Sequence, residues 1–368
     1  MMEETTENNE DPSLLDLAEQ LDHQGMVGYV QRFVEDMRQG FTAIQDDTMP
    51  WLEEIRRQHW NGVLCIGMGG SAAGGDFLAS LASHHGSMPL HVHRDYRLPA
   101  WFDESYLVLA TSHSGNTEET VQAAEAALAK GATVIVIATG GVLAGLAETS
   151  PRCHLIPTVG GQPPRSAFGH IFSRQVACME SLGILPSSEN GRENMLERLE
   201  EVNKHFDITR NPEGDVALLA AAMVDQPLAI IGPTEMMPAL NRFKNQVNEN
   251  AGRFVRMAVL PEMNHNESVA WGGIGEDGDP ARADQVLLFL TWNHMHPRVE
   301  QRLQWMIAHA STELAWNLVG EGDSLMEALL YQCLIMDWLS VTLALLQGKD
   351  PAAIAPIASL KNHLDSVQ

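Results

Sequence analysis

Cysteine is scarce and scattered: Cys65, Cys153, Cys178 and Cys333 are the only four in 368 residues, and no two of them form a CxxC pair. That excludes a disulfide framework and a thiolate zinc site, and it makes a reducing cytoplasm the expected compartment. Positive charge is short as well, with 23 Lys and Arg against 48 Asp and Glu and a formal net charge of −25. A field of that sign repels nucleic acid and anionic lipid, so neither a nucleic-acid nor a membrane partner is expected. No apolar run approaches the roughly 18 uninterrupted residues of a membrane span, and the start MMEETTENNEDPS is acidic where a secretion signal would be basic and then apolar. An anionic ligand would have to be held by a local exception to the overall field, built from backbone amides, hydroxyls and a few arginines or lysines.

What remains is ordinary for a globular protein: 45% hydrophobic and 19% charged residues, in a chain long enough for two domains. Residues 1–45 read as an acidic tail (Glu3, Glu4, Glu7, Glu10, Asp11) followed by one amphipathic lead helix from Leu14 to about Ala43. From residue 46 to 186, short β-rich runs (GVLCIGM, MPLHVHRD, YLVLATS, TVIVIATG, CHLIP) alternate with helical stretches, a succession that predicts a doubly wound parallel α/β sheet. The polar stretch 187–212 reads as a linker with a helical middle. Residues 213–349 repeat the alternation with PLAIIGP, RFVRMAVL, DQVLLFLTW and STELAWNLV, and residues 350–368 carry a last helix.

Two turns could hold an anion. Gly67-Met68-Gly69-Gly70-Ser71 lies between a strand and a helix, where free amides and a helix N-terminus face outward. It is neither a Walker A loop nor a GxGxxG fingerprint, because the Gly-Lys pair is missing and Ala72 breaks the glycine spacing. The second turn, Ser112-His113-Ser114-Gly115-Asn116-Thr117, sets three hydroxyls at the start of another helix. Neutral donors suit a phosphate in so acidic a chain, and both turns fall where ligands of open α/β sheets bind, beyond the carboxyl ends of strands. A packing-only reading of each turn, as a tight helix cap, is the alternative.

Taken together, GMGGSAAGGD, SHSGNTEET, PPRSAFG, NQVNENA, LPEMNHNESVAW and the C-terminal DPAAIAPIASLK resemble, in this order, the bifunctional phosphoglucose/phosphomannose isomerases of the sugar isomerase (SIS) domain family, over Gly62 to Lys361. The resemblance implies two flavodoxin-like αβα sandwich domains with flanking N- and C-terminal helices, and an isomerase acting on phosphosugars without metal or cofactor. It further implies that Gly70, Ser71, Ser112, Ser114 and Thr117 hold the sugar phosphate, that Arg165 faces an enediolate, and that Glu249 is the catalytic base. His265 and Lys361 are then the groups that open the sugar ring, with His265 supplied across the interface of a homodimer.

Those assignments make chemical sense. Moving a proton between adjacent carbons of an aldose and a ketose needs at least a carboxylate base and a cation beside the oxygens that become negative. Opening the ring needs proton carriers such as a histidine and a lysine. Each residue also has a plainer reading: a solvated helix glutamate, a turn-capping histidine, a surface lysine, a loop arginine. Isomerisation of a different phosphosugar and a non-catalytic sugar-phosphate sensor are the competing functions. His91 with His93, His84 with His85, and His294 with His296 lack further ligands for a metal site, and the run from Trp271 to Asp284 reads as a surface loop. Two departures from the family pattern stand out: His113, which could make phosphate contact pH-dependent, and Ala352-Ala353, where a threonine contact to the sugar would be lost.

Overall fold

The computed structural model describes residues 12–272, 285–310 and 312–367, so the acidic tail to Asp11 and nearly all of the run read as a loop up to Asp284 lie outside the described residues. The first four helices are α1 (Leu14–Leu21), α2 (Met26–Gln31), α3 (Phe33–Phe41) and α4 (Trp51–Arg56). The single lead helix expected from Leu14 to Ala43 is therefore three. Asp22 ends α1: its carboxylate accepts the Met26 and Val27 amides at 2.7 and 2.8 Å, while Gly25 takes φ +72°, so the chain caps a new helix instead of continuing the old one.

The first α/β unit runs β1 (Gly62–Gly67), α5 (Gly69–His85), β2 (Leu90–His93), β3 (Tyr106–Thr111), α6 (Glu118–Ala129), β4 (Val134–Ala138), α7 (Gly141–Thr149), β5 (Cys153–Pro157) and α8 (Phe168–Ser181). Its five strands are all parallel in the order β2-β1-β3-β4-β5. Every residue of β1 and of β4 is buried, as continuous apolar strands are when helices cover both faces of a sheet. The chain reverses direction across the sheet at β1 and β3, which places the crevice at the carboxyl ends of these two strands, where both turns singled out above emerge.

The stretch read as a linker forms α9 (Glu189–Phe206), and it is a packed element, burying Met195, Leu196, Leu199 and Phe206. The second unit follows: α10 (Asp215–Met223), β6 (Leu228–Pro233), α11 (Met237–Gln246), β7 (Val255–Leu260), α12 (Ser268–Gly272), β8 (Val286–Trp292), α13 (Pro297–His309), β9 (Ala315–Gly320), α14 (Leu325–Leu346) and α15 (Ala355–Ser366). Its four strands are parallel in the order β7-β6-β8-β9, repeating the β2-β1-β3-β4 plan of the first sheet. The chain thus folds as two parallel-sheet α/β units with flanking helices.

Among the described residues one helix, α14, is long and apolar enough by composition to cross a membrane, but it is packed inside the protein against α9, α10 and α11. Ser324 caps its start by accepting the Glu327 amide at 3.2 Å. A single apolar cluster runs from Phe33, Phe77 and Phe172 through Phe243 to Trp338 and so joins the two units, which also meet directly through α5 and α11. Trp338 is fully buried, and its indole N–H donates to Asn203 on α9 at 2.7 Å. Replacing it leaves both a cavity and an orphaned amide. Trp338→Ala is expected to lower stability by about 3–5 kcal/mol, seen as an earlier midpoint in urea unfolding; an unshifted midpoint would show that α14 does not organise the core.

Candidate functional site

Two clusters of the residues named from sequence meet at Gly70 and Ser71, the opening of α5. On one side is the hydroxyl turn after β3. The His113 amide donates to the Ser71 hydroxyl at 3.0 Å, Ser112 and Thr117 share a hydroxyl–hydroxyl bond of 2.8 Å, and the Gly115 amide donates to Ser112 at 3.1 Å. Thr117 precedes α6 without capping it, because its hydroxyl is engaged with Ser112. Ser114 accepts the Asn116 amide at 3.2 Å, and the Asn116 side chain accepts from the Val142 amide at 3.0 Å, which fastens the turn to the start of α7. Gly115 has φ +71°, and a Cβ there would strike the Gly140 carbonyl.

His113 does not behave as a titrating phosphate contact. It is buried, its Nε2 meets the Val159 carbonyl at 3.0 Å, and burial pushes its pKa below the ordinary histidine value. A ring nitrogen facing a carbonyl carries the hydrogen, so the imidazole is a neutral strut and the turn keeps its shape around neutral pH.

On the other side of Gly70 lies a charged cluster. Gly70 is required by contact: a Cβ there would lie 2.9 Å from the Arg165 Cα and 3.1 Å from the Pro164 carbonyl carbon, so only glycine lets the PPR segment pass. Arg165 is 4% exposed, and all three of its nitrogens are engaged. Nε donates to Asn250 Oδ1 at 2.7 Å, Nη2 to the Pro351 carbonyl at 2.8 Å, and Nη1 to Glu249 Oε2 at 3.4 Å. Burial lowers the guanidinium from its ordinary value, with Glu249 and Asp350 pulling the other way. Burial likewise raises the Glu249 carboxyl, against the pull of Arg165 and Arg242. The result is a half-desolvated carboxylate at contact distance from a fixed cation.

Glu249 stands where α11 loosens into a π-helical turn, Val247–Ala251, closed by Gly252 at φ +62°. The extra residue in that turn aims Glu249 and the next residue, Asn250, at the same guanidinium, and such turns recur at functional sites. A third layer lies beneath. Arg242 forms a buried ion pair with Asp337, donates to the Arg165 carbonyl at 3.3 Å and lies over the Phe168 ring at 4.6 Å, while Gln246 also donates to Asp337 at 2.8 Å. Sequence reasoning missed Arg242, Asn250 and Asp337. Two signals could have found them: Arg242 and Glu249 are seven residues apart and so share a helix face, and Asp337 is an acid in the middle of an apolar helix, which demands a buried partner.

The cleft lined by Gly69, Gly70, Arg165, Arg242, Gln246 and Glu249 measures about 10 Å³, the room of one water, so a sugar would lie across its mouth. Neither His265 nor Lys361 lines it. His265 is exposed in the short 3₁₀ turn Glu262–His265 after β7, and Lys361 is exposed on α15, the helix that begins four residues beyond the Pro351 that holds Arg165. Ala352 is buried beside Pro351, its amide bound by Asp350 at 2.8 Å, and Ala353 is exposed. No group of three or more His, Cys, Asp or Glu side chains placed to share a metal ion occurs among the described residues. The paired histidines have other partners: His91 packs on Trp101, His93 meets the Arg97 carbonyl, His84 packs on His85 and Trp292, His294 packs on Trp292, and His296 caps α13.

Comparison with known proteins locates this arrangement. Residues 58–159 match the SIS domain, and residues 214–364 match the bacterial phospho-glucose isomerase C-terminal SIS domain. The bifunctional phosphoglucose/phosphomannose isomerase of Aquifex aeolicus is 30% identical over 311 residues, covering 83% of this chain and 91% of that protein. The enzyme of the same name from Caldicellulosiruptor bescii is 29% identical over 85% of this chain and 92% of its own. Among solved structures, a phosphosugar isomerase so described from Clostridium difficile superposes with a TM-score of 0.65 at 16% identity, over 93% of this chain and 95% of that one, which speaks to the fold.

The geometry around Arg165 yields a graded expectation. Asn250→Ala leaves the buried Nε without an acceptor and should cost about 1–3 kcal/mol of unfolding free energy, whereas Ser340→Ala, which removes only the hydroxyl that the Asn250 amide contacts at 2.9 Å, should cost less. Equal losses in urea titrations would contradict the arrangement.

Proposed function

The chain belongs to the bifunctional phosphoglucose/phosphomannose isomerase family, two-domain SIS proteins, and from that premise we propose that it is an aldose–ketose isomerase interconverting glucose 6-phosphate and mannose 6-phosphate with fructose 6-phosphate. The observation that carries the reading is the 3.4 Å approach of Glu249 to the immobilised Arg165, next to a turn of neutral hydroxyls. In this reading the phosphate sits on Gly70, Ser71, Ser112, Ser114 and Thr117, which bind an anion without adding positive charge to the site.

The chemistry then follows from the two charged groups. Glu249 takes the C2 proton of the open aldose and returns it to C1, the O2 hydroxyl gives up its proton as O1 gains one, and the bond electrons pass through a cis-enediolate whose oxygens lie toward Arg165. Glucose and mannose differ only in configuration at C2, so both give the same enediolate, and one site can serve both. A carboxylate raised by burial is a stronger base than an ordinary one, and the guanidinium keeps it from becoming permanently protonated. Acid–base transfer alone completes the reaction, with no metal taking part.

His265 and Lys361 act before this step, removing the C1 hydroxyl proton and protonating the ring oxygen. Their exposure away from the cleft supports an assembly in which His265 reaches the site of a second copy, a homodimer. The charge and cysteine pattern are consistent with work in the cytoplasm.

The direct experiment is a coupled assay for fructose 6-phosphate begun separately from each aldose phosphate, with and without a chelator. Turnover of both, unchanged by chelation, is the expected result. Turnover of neither would return isomerisation of a different phosphosugar and the sensor to the front. Glu249→Gln should lower kcat by about 10² to 10⁴, and a loss within tenfold would remove Glu249 as the base. Because the base must be ionised and its pKa is raised, kcat/KM should fall with acidification along a limb that lies above the ordinary glutamate range; a limb at the ordinary position would contradict the burial described here.

A further inference from the structure

Sharing no lining residue with the cleft around Arg165, α13 buries Leu303 and Met306 and turns Arg298, Gln301, Arg302 and Trp305 outward. Facing them are Asn264 and Ser268, from the segment that carries His265. These six residues line a groove of about 310 Å³, within the range of small-molecule sites. None of them is acidic, in a chain where acids outnumber bases 48 to 23. Arg298 and Arg302 stand one helical turn apart on the same face. Among the described residues neither forms an ion pair: Arg298 donates to the Gln301 amide oxygen at 2.7 Å and Arg302 to that of Asn264 at 3.4 Å. Neutral oxygens are weak partners that an anion can displace. Trp305, 46% exposed and stacked on His309 with centroids 4.3 Å apart, adds a rigid apolar wall.

We propose that this groove binds a phosphate monoester, its dianion bridging Arg298 and Arg302 and its carbon body resting on Trp305. Two guanidiniums offer fork geometry and charge for one phosphoryl group. A polyanion such as nucleic acid is disfavoured, since beyond the pair it would meet the field of a chain at −25. Asn264 releases Arg302 when the anion binds, and Asn264 adjoins His265. Occupancy therefore reaches the ring-opening segment, which makes the ligand an effector; this last clause rests on the role given to His265 under Proposed function, while binding itself does not.

The probe is phenyl phosphate, titrated by calorimetry and tryptophan fluorescence into the full-length protein, into Arg298→Ala/Arg302→Ala, and into Ser112→Ala/Ser114→Ala. The expected result is a class of sites in the parent that weakens at least tenfold in the double-arginine variant, persists in the double-serine variant, and tightens from pH 5.5 to 7.5 as the dianion forms, the second phosphate pKa being about 6. Trp305→Phe should remove the fluorescence response of that class. Both arginines are exposed, and a matching urea midpoint for the double-arginine variant would establish that it is folded. Equal affinity in parent and double-arginine variant, loss of all binding in the double-serine variant, or no binding to the parent would each overturn the proposal. Loss of isomerase activity with the groove intact would instead count against the catalytic reading alone.

Discussion

The buried guanidinium of Arg165 is the constraint to which the rest of the molecule conforms. A cation taken out of water is costly unless every donor finds an acceptor, and here the three acceptors come from two separate places: Asn250 and Glu249 in the π-helical turn, and the Pro351 carbonyl just before the C-terminal helix. The arginine itself belongs to the first α/β unit and its acceptors to the second unit and the C-terminal segment, so satisfying one side chain fixes the two units against each other. Its carbonyl is held too, by Arg242, whose own charge is met by Asp337 inside α14. Removing any member strands a charge or a donor in the interior.

The first unit's crevice gathers neutral and positive groups in a chain of net charge −25. The hydroxyl turn brings no cation of its own, His113 braces it through the Val159 carbonyl, and Arg165 and Arg242 lie in the adjoining cleft. Both guanidiniums are buried and placed by packing, Arg165 by Asn250, Glu249 and the Pro351 carbonyl and Arg242 by Asp337.

The alternation of strands and helices was legible in the sequence because parallel strands covered on both faces leave uninterrupted apolar runs, and β1, β4, β6 and β8 are such runs. The lead helix was not, since the Asp22 side-chain caps and the turn at Gly25 interrupt an apolar periodicity that continues through the break. Nor was the π-helical turn, which is invisible in composition and depends on what Glu249 and Asn250 must reach. Ordered motifs brought the residues flanking Gly70 to attention, and the structure gathers Gly70, Ser71, Ser112, Thr117, Arg165 and Glu249 around one helix start. It leaves His265 and Lys361 on the surface, where a residue's spacing in the chain carries no information about a second molecule.

The two sheets share a plan yet divide the work, and the reason is local. In the first unit the strands at the crossover end in glycines and small hydroxyls, with Gly69 and Ser114 exposed and Ser71 and Ser112 buried beneath them. At the matching place in the second unit, β6 ends before Thr234 and Glu235 and β8 ends at Trp292. The Trp292 indole donates to the Glu235 carboxylate at 3.0 Å, and Thr234 donates to the Leu260 carbonyl at 2.9 Å. A large ring and a carboxylate stand where the first unit has glycines and small hydroxyls. The second unit instead carries, in the π-helical turn that follows α11, the glutamate that meets Arg165 of the first.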